Sequence, residues 1–591
     1  MKLKEFNKGL KKEYDKTFIV TPKHKKEWHP RFKIRYAFLA IFVLITLFLT
    51  GEHLYCVAYN HSVKKYNESR FDVHNTTLLS IDSKEEYQDL VGVEKKPIES
   101  ILTKMFTINY MLKGEAPGMD YNGSFDVEEG IPEAPGDNGA DSFQTNIQTS
   151  GIDEADVAKS DGNYIYSIKK GYLQVFDLEG NLVDKSQTNN RLLYIKENKI
   201  ITIGYTGVEI YHFEDNELSK SKKYEFANYL DSRLIGDKLY IIGGTKIDID
   251  DETIYDDLYY DGCNWSEYVY QIICYDLSTN EVKIVKNLNS GSVKLYMSNS
   301  HIYLATNVYL YRHQLSNCRE ITVISIFDLE LNAVGALRIY GSVLNQFSMD
   351  EYNNYFRVVS TNTMAEVERL NAISIFDLNS LERVGYLDEG IGLERQQVKS
   401  VSFLGDTCHV VTYEQTDPLY EIDLSDPTNP TIVSIYKAPG YSSYLKNFEI
   451  AGKKYLLGIG YDDDRITRKI SIYLDEEETK QIGNDFLISY YEFNGVDLLL
   501  DDIINTNFDN HKALFIFNDG TYFYLGLKVN ANNYYVFKID VNSEEVVTIY
   551  SHYHSEEKDY DSRAFLINGK FYLINGEEII INNWEQKILS N

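Results

Sequence analysis

The sequence predicts an all-β protein: a β-propeller of eight or nine four-stranded blades behind one N-terminal transmembrane helix and a short helical and linker segment. A recurring strand phrase, a recurring hairpin turn and one uncharged apolar run after a basic leader carry this reading. The phrase is a few alternating apolar residues followed by Asp-Leu or a close variant. It reads Leu-Gln-Val-Phe-Asp177-Leu178, Gln-Ile-Ile-Cys-Tyr-Asp276-Leu277, Val-Ile-Ser-Ile-Phe-Asp328-Leu329 and Ala-Ile-Ser-Ile-Phe-Asp377-Leu378. It returns at Asp423-Leu424 and Asp540-Val541, with weaker copies at Val208–Glu214 and Lys469–Asp475. Period-two alternation makes each copy a strand, and regular recurrence marks a repeat architecture.

The hairpin turn comes next. Asp161-Gly162-Asn163, Gly236-Asp237, Gly405-Asp406, Ala451-Gly452 and Asn568-Gly569 each precede a strand of their own. Such pairs supply the positive φ of tight hairpins. One more strand precedes this turn, and another follows the Asp-Leu turn, as in Ala-Val-Gly-Ala-Leu and Arg-Val-Gly-Tyr-Leu. Four antiparallel strands per unit is a propeller blade. Nine units fit between Gly162 and Gly569, about 51 residues apart, close to WD and kelch spacing. Propellers have typically about 4–8 blades, so one weak unit as an insertion is the other count. Packing blades around an axis removes the exposed faces a lone sheet would leave. The aspartate of the phrase is expected to cap its turn through nearby backbone amides, not to do chemistry.

Composition and charge place the chain. It has 591 residues, 43% hydrophobic with only 10 prolines, which fits a globular protein. Residues 1–36 hold 12 Lys or Arg against 4 Asp or Glu. The whole chain carries −30, so the remainder carries −38. The basic block precedes an uncharged run from Tyr36 to Gly51. About 20 residues cross a bilayer, and the basic side faces the cytoplasm. The expectation is a cytoplasmic tail over 1–35 and a signal anchor over 36–57, with the acidic bulk outside the cell. A cleaved signal ending near Cys56-Val57-Ala58 is the alternative, but its basic leader of about 35 residues exceeds secretory signals of about 15–30 in total. So acidic a body repels phosphates, which argues against nucleic acid as a partner.

Residues 58–112 read as a partly helical membrane-proximal segment. Ser83 and Glu86 have capping-box spacing, and helical spacing continues through Ile98–Leu112. Residues 113–142 are rich in Gly, Pro and acids and read as a flexible linker. The propeller domain is expected over 143–591.

The linker ends at Ser142-Phe-Gln-Thr145-Asn146-Ile-Gln148-Thr-Ser-Gly151-Ile-Asp153-Glu154-Ala155-Asp156-Val-Ala-Lys159-Ser-Asp161-Gly162. Two further blocks follow in order. One is Leu344-Asn345-Gln346-Phe347-Ser348-Met349-Asp350-Glu351-Tyr352. The other runs from Val398 through Asp417-Pro418-Leu419 and Pro439-Gly440-Tyr441-Ser442 to Leu457-Gly458-Ile459-Gly460. Together these resemble a family of secreted or membrane-anchored bacterial and archaeal proteins with a C-terminal β-propeller domain. The resemblance covers about residues 142–591. It implies a propeller and an extracellular location, and no substrate.

No catalytic motif is legible. Asp153-Glu-Ala-Asp156 spells the helicase tetrad, but no phosphate loop accompanies it. Ser167-Ile-Lys-Lys170 has SxxK spacing without its partner motifs. Long insertions lie between the second and third strands of several blades: Thr245–Tyr270, Thr306–Glu320, Thr361–Asn371 and Tyr461–Arg468. In a propeller these share one face, and variable loops on a rigid scaffold carry function. The expected ligand face offers Tyr255, Tyr259, Tyr260 and Trp265. Asp248, Asp250, Asp462, Asp463 and Asp464 are candidates for Ca2+, although no EF-hand spacing follows and a solvated acidic loop is the plainer reading.

Two functions are compatible with this. One is a binding scaffold for a protein, peptide or cell-surface polymer. The other is a carboxylate-based hydrolase or lyase working through the propeller funnel, which needs a paired acid with a raised pKa. No cofactor is implied. Cys263 and Cys318 sit in the long loops of adjacent blades and form a candidate disulfide in an oxidising compartment. Cys274 and Cys408 fall in apolar strands and read as small buried hydrophobes.

Overall fold

A computed structural model describes residues 30–70, 74–91, 101 and 145–584, apart from several stretches of which the longest are 311–318, 363–370, 489–509 and 554–561. It separates into two units, one of residues 1–63 with 96–120, the other of 64–95 with 121–591.

The first unit is dominated by helix α1, Pro30–Arg70. Its 27-residue stretch Tyr36–Ser62 contains an 18-residue window of mean hydropathy 2.0, long and apolar enough to cross a membrane. The helix runs unbroken through Cys56-Val57-Ala58, so the apolar stretch extends past the expected limit at 57.

The second unit contains nine sheets in chain order, antiparallel apart from one added strand in the third. Blades 1 to 4 span Ala158–Gln187, Leu192–Glu225, Tyr229–Leu288 and Val293–Tyr340. Blades 5 to 8 span Met349–Leu387, Gln397–Ala438, Tyr441–Ile488 and Phe515–Tyr553, and blade 9 spans Arg563–Asn583. The hairpins form where Gly-containing turns were expected, with φ of 86° at Gly162, 55° at Gly236 and 69° at Gly569. The phrase aspartates cap their turns. Asp177 accepts from the amides of Glu179 and Asn181, Asp276 from Ser278 and Thr279, Asp377 from Asn379 and Ser380. A β-bulge recurs just before the aspartate, as at Val175/Phe176, Ile326/Phe327 and Ile375/Phe376. Each bulge sharpens the twist of its outermost strand.

Nine apolar clusters join neighbouring blades, and they settle the blade number. Eight lie between consecutive sheets, from Tyr166, Leu173 and Tyr211 between blades 1 and 2 to Phe515, Val536 and Phe571 between blades 8 and 9. The ninth joins Ile165 and Phe176 of blade 1 to Phe565, Ile567 and Tyr572 of blade 9. The ring is therefore closed, with nine blades. Among the described residues eight have four or more strands and blade 9 has three. No strand is exchanged between blades 1 and 9 among the described residues, so side chains alone close the ring.

Blade 3 carries two additions. Its inner edge pairs with Asp153–Glu154, and its outer edge gains the insertion strand Leu258–Tyr260, parallel to Val282–Leu288. The membrane-proximal strand Leu79–Ile81 then pairs antiparallel with that insertion strand. Helix α2, Lys84–Leu90, follows it. Ser83 accepts from the Glu86 amide at 3.2 Å, as the spacing predicted, while Glu86 reaches back to the Asp82 amide at 2.9 Å, one residue before the Ser83 amide that a capping box would use. The predicted helical continuation over Ile98–Leu112, apart from Ile101, and the linker 113–142 lie outside the described residues.

Candidate functional site

Residues Thr145–Asp156 contact blades all around the ring. Asn146 donates to Tyr444 Oη of blade 7 at 3.3 Å and to the His511 carbonyl before blade 8 at 3.1 Å. Gln148 donates to the Gln346 carbonyl between blades 4 and 5, and Thr149 to Met297 of blade 4. Glu154 pairs with Arg233 in blade 3, and Asp156 bridges Leu193 in blade 2. Only a segment on the axis can reach the innermost strands of so many blades within twelve residues. The stretch that opens the propeller domain is thus the filling of the central channel.

The filling is ionic and buried. Glu154 is 2% exposed. One carboxylate oxygen lies 3.0 Å from His511 Nε2, and the other accepts from the Gln148 amide and faces Arg233 Nε at 3.9 Å. Burial alone would push this carboxyl up; Arg233 and His511 outweigh it and hold the pKa well below the usual carboxylate value. Arg233 also bonds Asp231 at 2.7 Å and the side chain of Gln346 at 2.5 Å. Asp156 takes the Arg563 guanidinium on both oxygens, at 2.7 to 2.9 Å. Lys159 bonds Asp153 at 2.6 Å and Thr145 at 2.7 Å. The ring of Phe347 stands edge-on to His511 at 5.1 Å. His511 Nδ1 has no partner.

Each of these three carboxylates has a cation beside it. General acid catalysis needs a carboxyl with a raised pKa, and Glu154 is shifted the other way. The tetrad Asp153–Asp156 is accordingly a set of structural ion-pair partners. Sequence reasoning missed this role, because Arg233, His511 and Arg563 lie far away in the chain. Arg357 and Asp350 make a similar buried pair between the second and first strands of blade 5.

The insertion Thr245–Tyr270 does not form the open aromatic surface expected. Tyr255 and Tyr260 are 5% and 1% exposed. They pack with Leu258, Val269 and Leu288 against Ile81, Val91, Leu79, Tyr87 and Leu90 of the membrane-proximal segment. Tyr259 is half-buried, edge-on to Phe327 at 5.7 Å. Trp265 lies outside the described residues. The tyrosines serve as an intramolecular dock because the insertion folds back to the outer edge of its own blade.

The acidic candidates are dispersed. Asp250 pairs with Lys84 at 2.5 Å, Asp248 accepts the Asp250 amide, and Asp463 accepts the Gly440 amide. Asp462 is half-buried, and Asp464 lies outside the described residues. Among the described residues no three His, Cys, Asp or Glu side chains gather as metal ligands. Cys274 and Cys408 are buried reduced thiols in their strands, as read. Cys263 and Cys318 lie outside the described residues.

Comparison with known proteins agrees with the architecture. An uncharacterized protein of Methanocaldococcus jannaschii is 27% identical, over 75% of this chain and 82% of its own. One from Archaeoglobus fulgidus is 25% identical, over 59% and 71%. Among solved structures, AztD of Citrobacter koseri is 13% identical with a TM-score of 0.33, over 74% of this chain and 92% of that one. A family profile described as beta propeller domain matches residues 143–587, three quarters of the sequence. The chain belongs to this beta propeller domain family.

Proposed function

We propose that this protein is a membrane-anchored extracytoplasmic binding scaffold, which holds a protein, peptide or cell-surface polymer on the face formed by its second-to-third-strand loops. The observation that carries the reading is the filled axis. Glu154, Arg233, His511, Asp156 and Arg563 are paired with one another inside it, which favours recognition on the faces.

The anchor is supported by the uncharged run after twelve basic residues and by the continuity of α1 through the alternative cleavage point. Signal peptidase acts on extended chain, which an unbroken helix withholds. Protease shaving of sealed cells tests the orientation: the propeller is expected to be cut or released, and survival intact would place it inside.

The binding role is tested by capture from envelope extract with a soluble fragment of residues 74–591. A specific partner, lost when loops 311–318 and 363–370 are shortened, is expected. Turnover of a surface polymer by the same fragment would instead favour an enzyme.

A further inference from the structure

Residues 58–142 hold six asparagines, and four of them begin the triplet Asn-X-Ser/Thr: Asn60, Asn67, Asn75 and Asn122. Residues 143–591 hold 39 asparagines. Among these only Asn264 begins such a triplet, while Asn429 is followed by Pro430. Spread evenly over the asparagines, the five triplets would put fewer than one in the first region. The triplet is the acceptor motif for N-linked glycans, and proline in its middle position disqualifies it.

We propose that Asn75 is an N-glycosylation site, carrying an oligosaccharide on its side-chain nitrogen. The site depends on the extracytoplasmic placement proposed above and adds a modification to it.

Local structure sets Asn75 apart from the other four. Asn60 falls within the apolar stretch Tyr36–Ser62, and Asn67 within helix α1. Asn122 and Asn264 lie outside the described residues. Asn75 stands between α1 and the strand Leu79–Ile81, in chain that is neither helix nor strand. Acceptor asparagines belong to surface loops, since the attached glycan is bulky and hydrated. Asn75 is half-buried and Thr77 is exposed.

The turn presents the right atom. The Thr77 amide donates to Asn75 Oδ1 at 2.9 Å, which closes an Asx turn. With Oδ1 held against the backbone, Nδ2 is the end of the amide turned away from it. The same bond keeps the third residue of the triplet beside the first. The anchors of this stretch lie on its other groups. The Thr76 carbonyl accepts from the Ala336 amide of blade 4 at 2.9 Å, and Leu78 packs on the clusters of Leu304 and Val323. A glycan on Nδ2 therefore displaces none of these contacts.

The transfer needs a lipid-linked glycosyl phosphate as donor. Asn75 Nδ2 forms a bond to the anomeric carbon of the sugar. The bond from that carbon to the phosphate oxygen breaks, the phosphate leaves with the bonding pair, and one amide proton is released.

Mass spectrometry of the full chain purified from its native envelope tests the site. Trypsin releases Phe71–Lys84, which contains the Asn75 triplet and no other. A glycan mass located on Asn75 is expected. It should be lost completely in Asn75→Gln and in Thr77→Ala, and kept in Thr77→Ser, which retains the hydroxyl. Protease shaving of the same cells separates the site from the placement. An unmodified peptide from cells whose propeller is cut overturns the site and leaves the placement standing. An unmodified peptide from cells whose propeller is spared overturns both. A mass that persists in Thr77→Ala overturns the proposal, because the transfer would then ignore the triplet.

Discussion

His511 Nε2 lies 3.0 Å from Glu154 Oε2, a contact that spans 357 residues of sequence. It ties the turn before blade 8 to the strand that pads blade 3, across the middle of the ring. A buried ion group of this kind is costly to break, because removing one partner strands the others without water. Glu154→Ala is expected to destabilise the propeller by about 3–5 kcal/mol, and Glu154→Leu with Arg233→Met by much less. Denaturant melts followed by tyrosine and tryptophan fluorescence measure both.

Asp156 and Arg563 form the corresponding clasp between the axis segment and blade 9. Each single alanine substitution should cost about 3–5 kcal/mol, and the double substitution should cost far less than their sum. Additive losses in a double-mutant cycle would show that the two side chains act separately, and that the cluster around Ile567 and Tyr572 alone shuts the ring.

The segment Leu79–Val91 belongs to the folded unit. Burying Ile81 and Val91 is worth about 1.5–3 kcal/mol each. A fragment beginning at 143 should therefore melt lower than one beginning at 74 and should bind a hydrophobic dye. Trimming Thr245–Tyr270 should do the same. The reason is that Tyr255, Leu258 and Tyr260 form the floor on which Ile81 sits. Equal melting of the two fragments would return the loop to a purely external role.

Stability should fall in acid through a definable window. Glu154 and the turn aspartates Asp177, Asp276, Asp377 and Asp540 all titrate below their ordinary values, Asp276 at about 2 through its bonds to Ser278 and Thr279. As pH drops, the unfolded chain takes up these protons first. The stability they supply is complete above the ordinary values of 4.5 and 3.8 and drains away below them, toward about 2. Melts between pH 6 and pH 2.5 check this. A flat profile below pH 4.5 would contradict the assigned bonds.

Much of the architecture was legible because it is local. Alternation, a glycine at positive φ and an aspartate two residues before the amides it binds all fall within ten residues, so eight or nine blades could be read directly. The expected turn role of Asp177, Asp276 and Asp377 is what their hydrogen bonds show. What escaped was long-range. Nothing near Glu154 announces Arg233 or His511, and Asp156 finds Arg563 only 407 residues later. Tyr255 and Tyr260 looked like ligand contacts because their burial depends on a strand about 180 residues earlier, which carries too short an alternation to be recognised.

The central claim is that residues 145–156 fill the axis of a closed nine-bladed ring. Hydrogen–deuterium exchange of the full chain in detergent tests it most directly. Peptides covering 152–156 should exchange as slowly as the innermost strands Tyr229–Ile235 and Tyr441–Ile450, because Glu154 and Asp156 sit in ladders and ion pairs inside the ring. Exchange of that segment within seconds, while those strands stay protected, would show an empty axis and contradict the account.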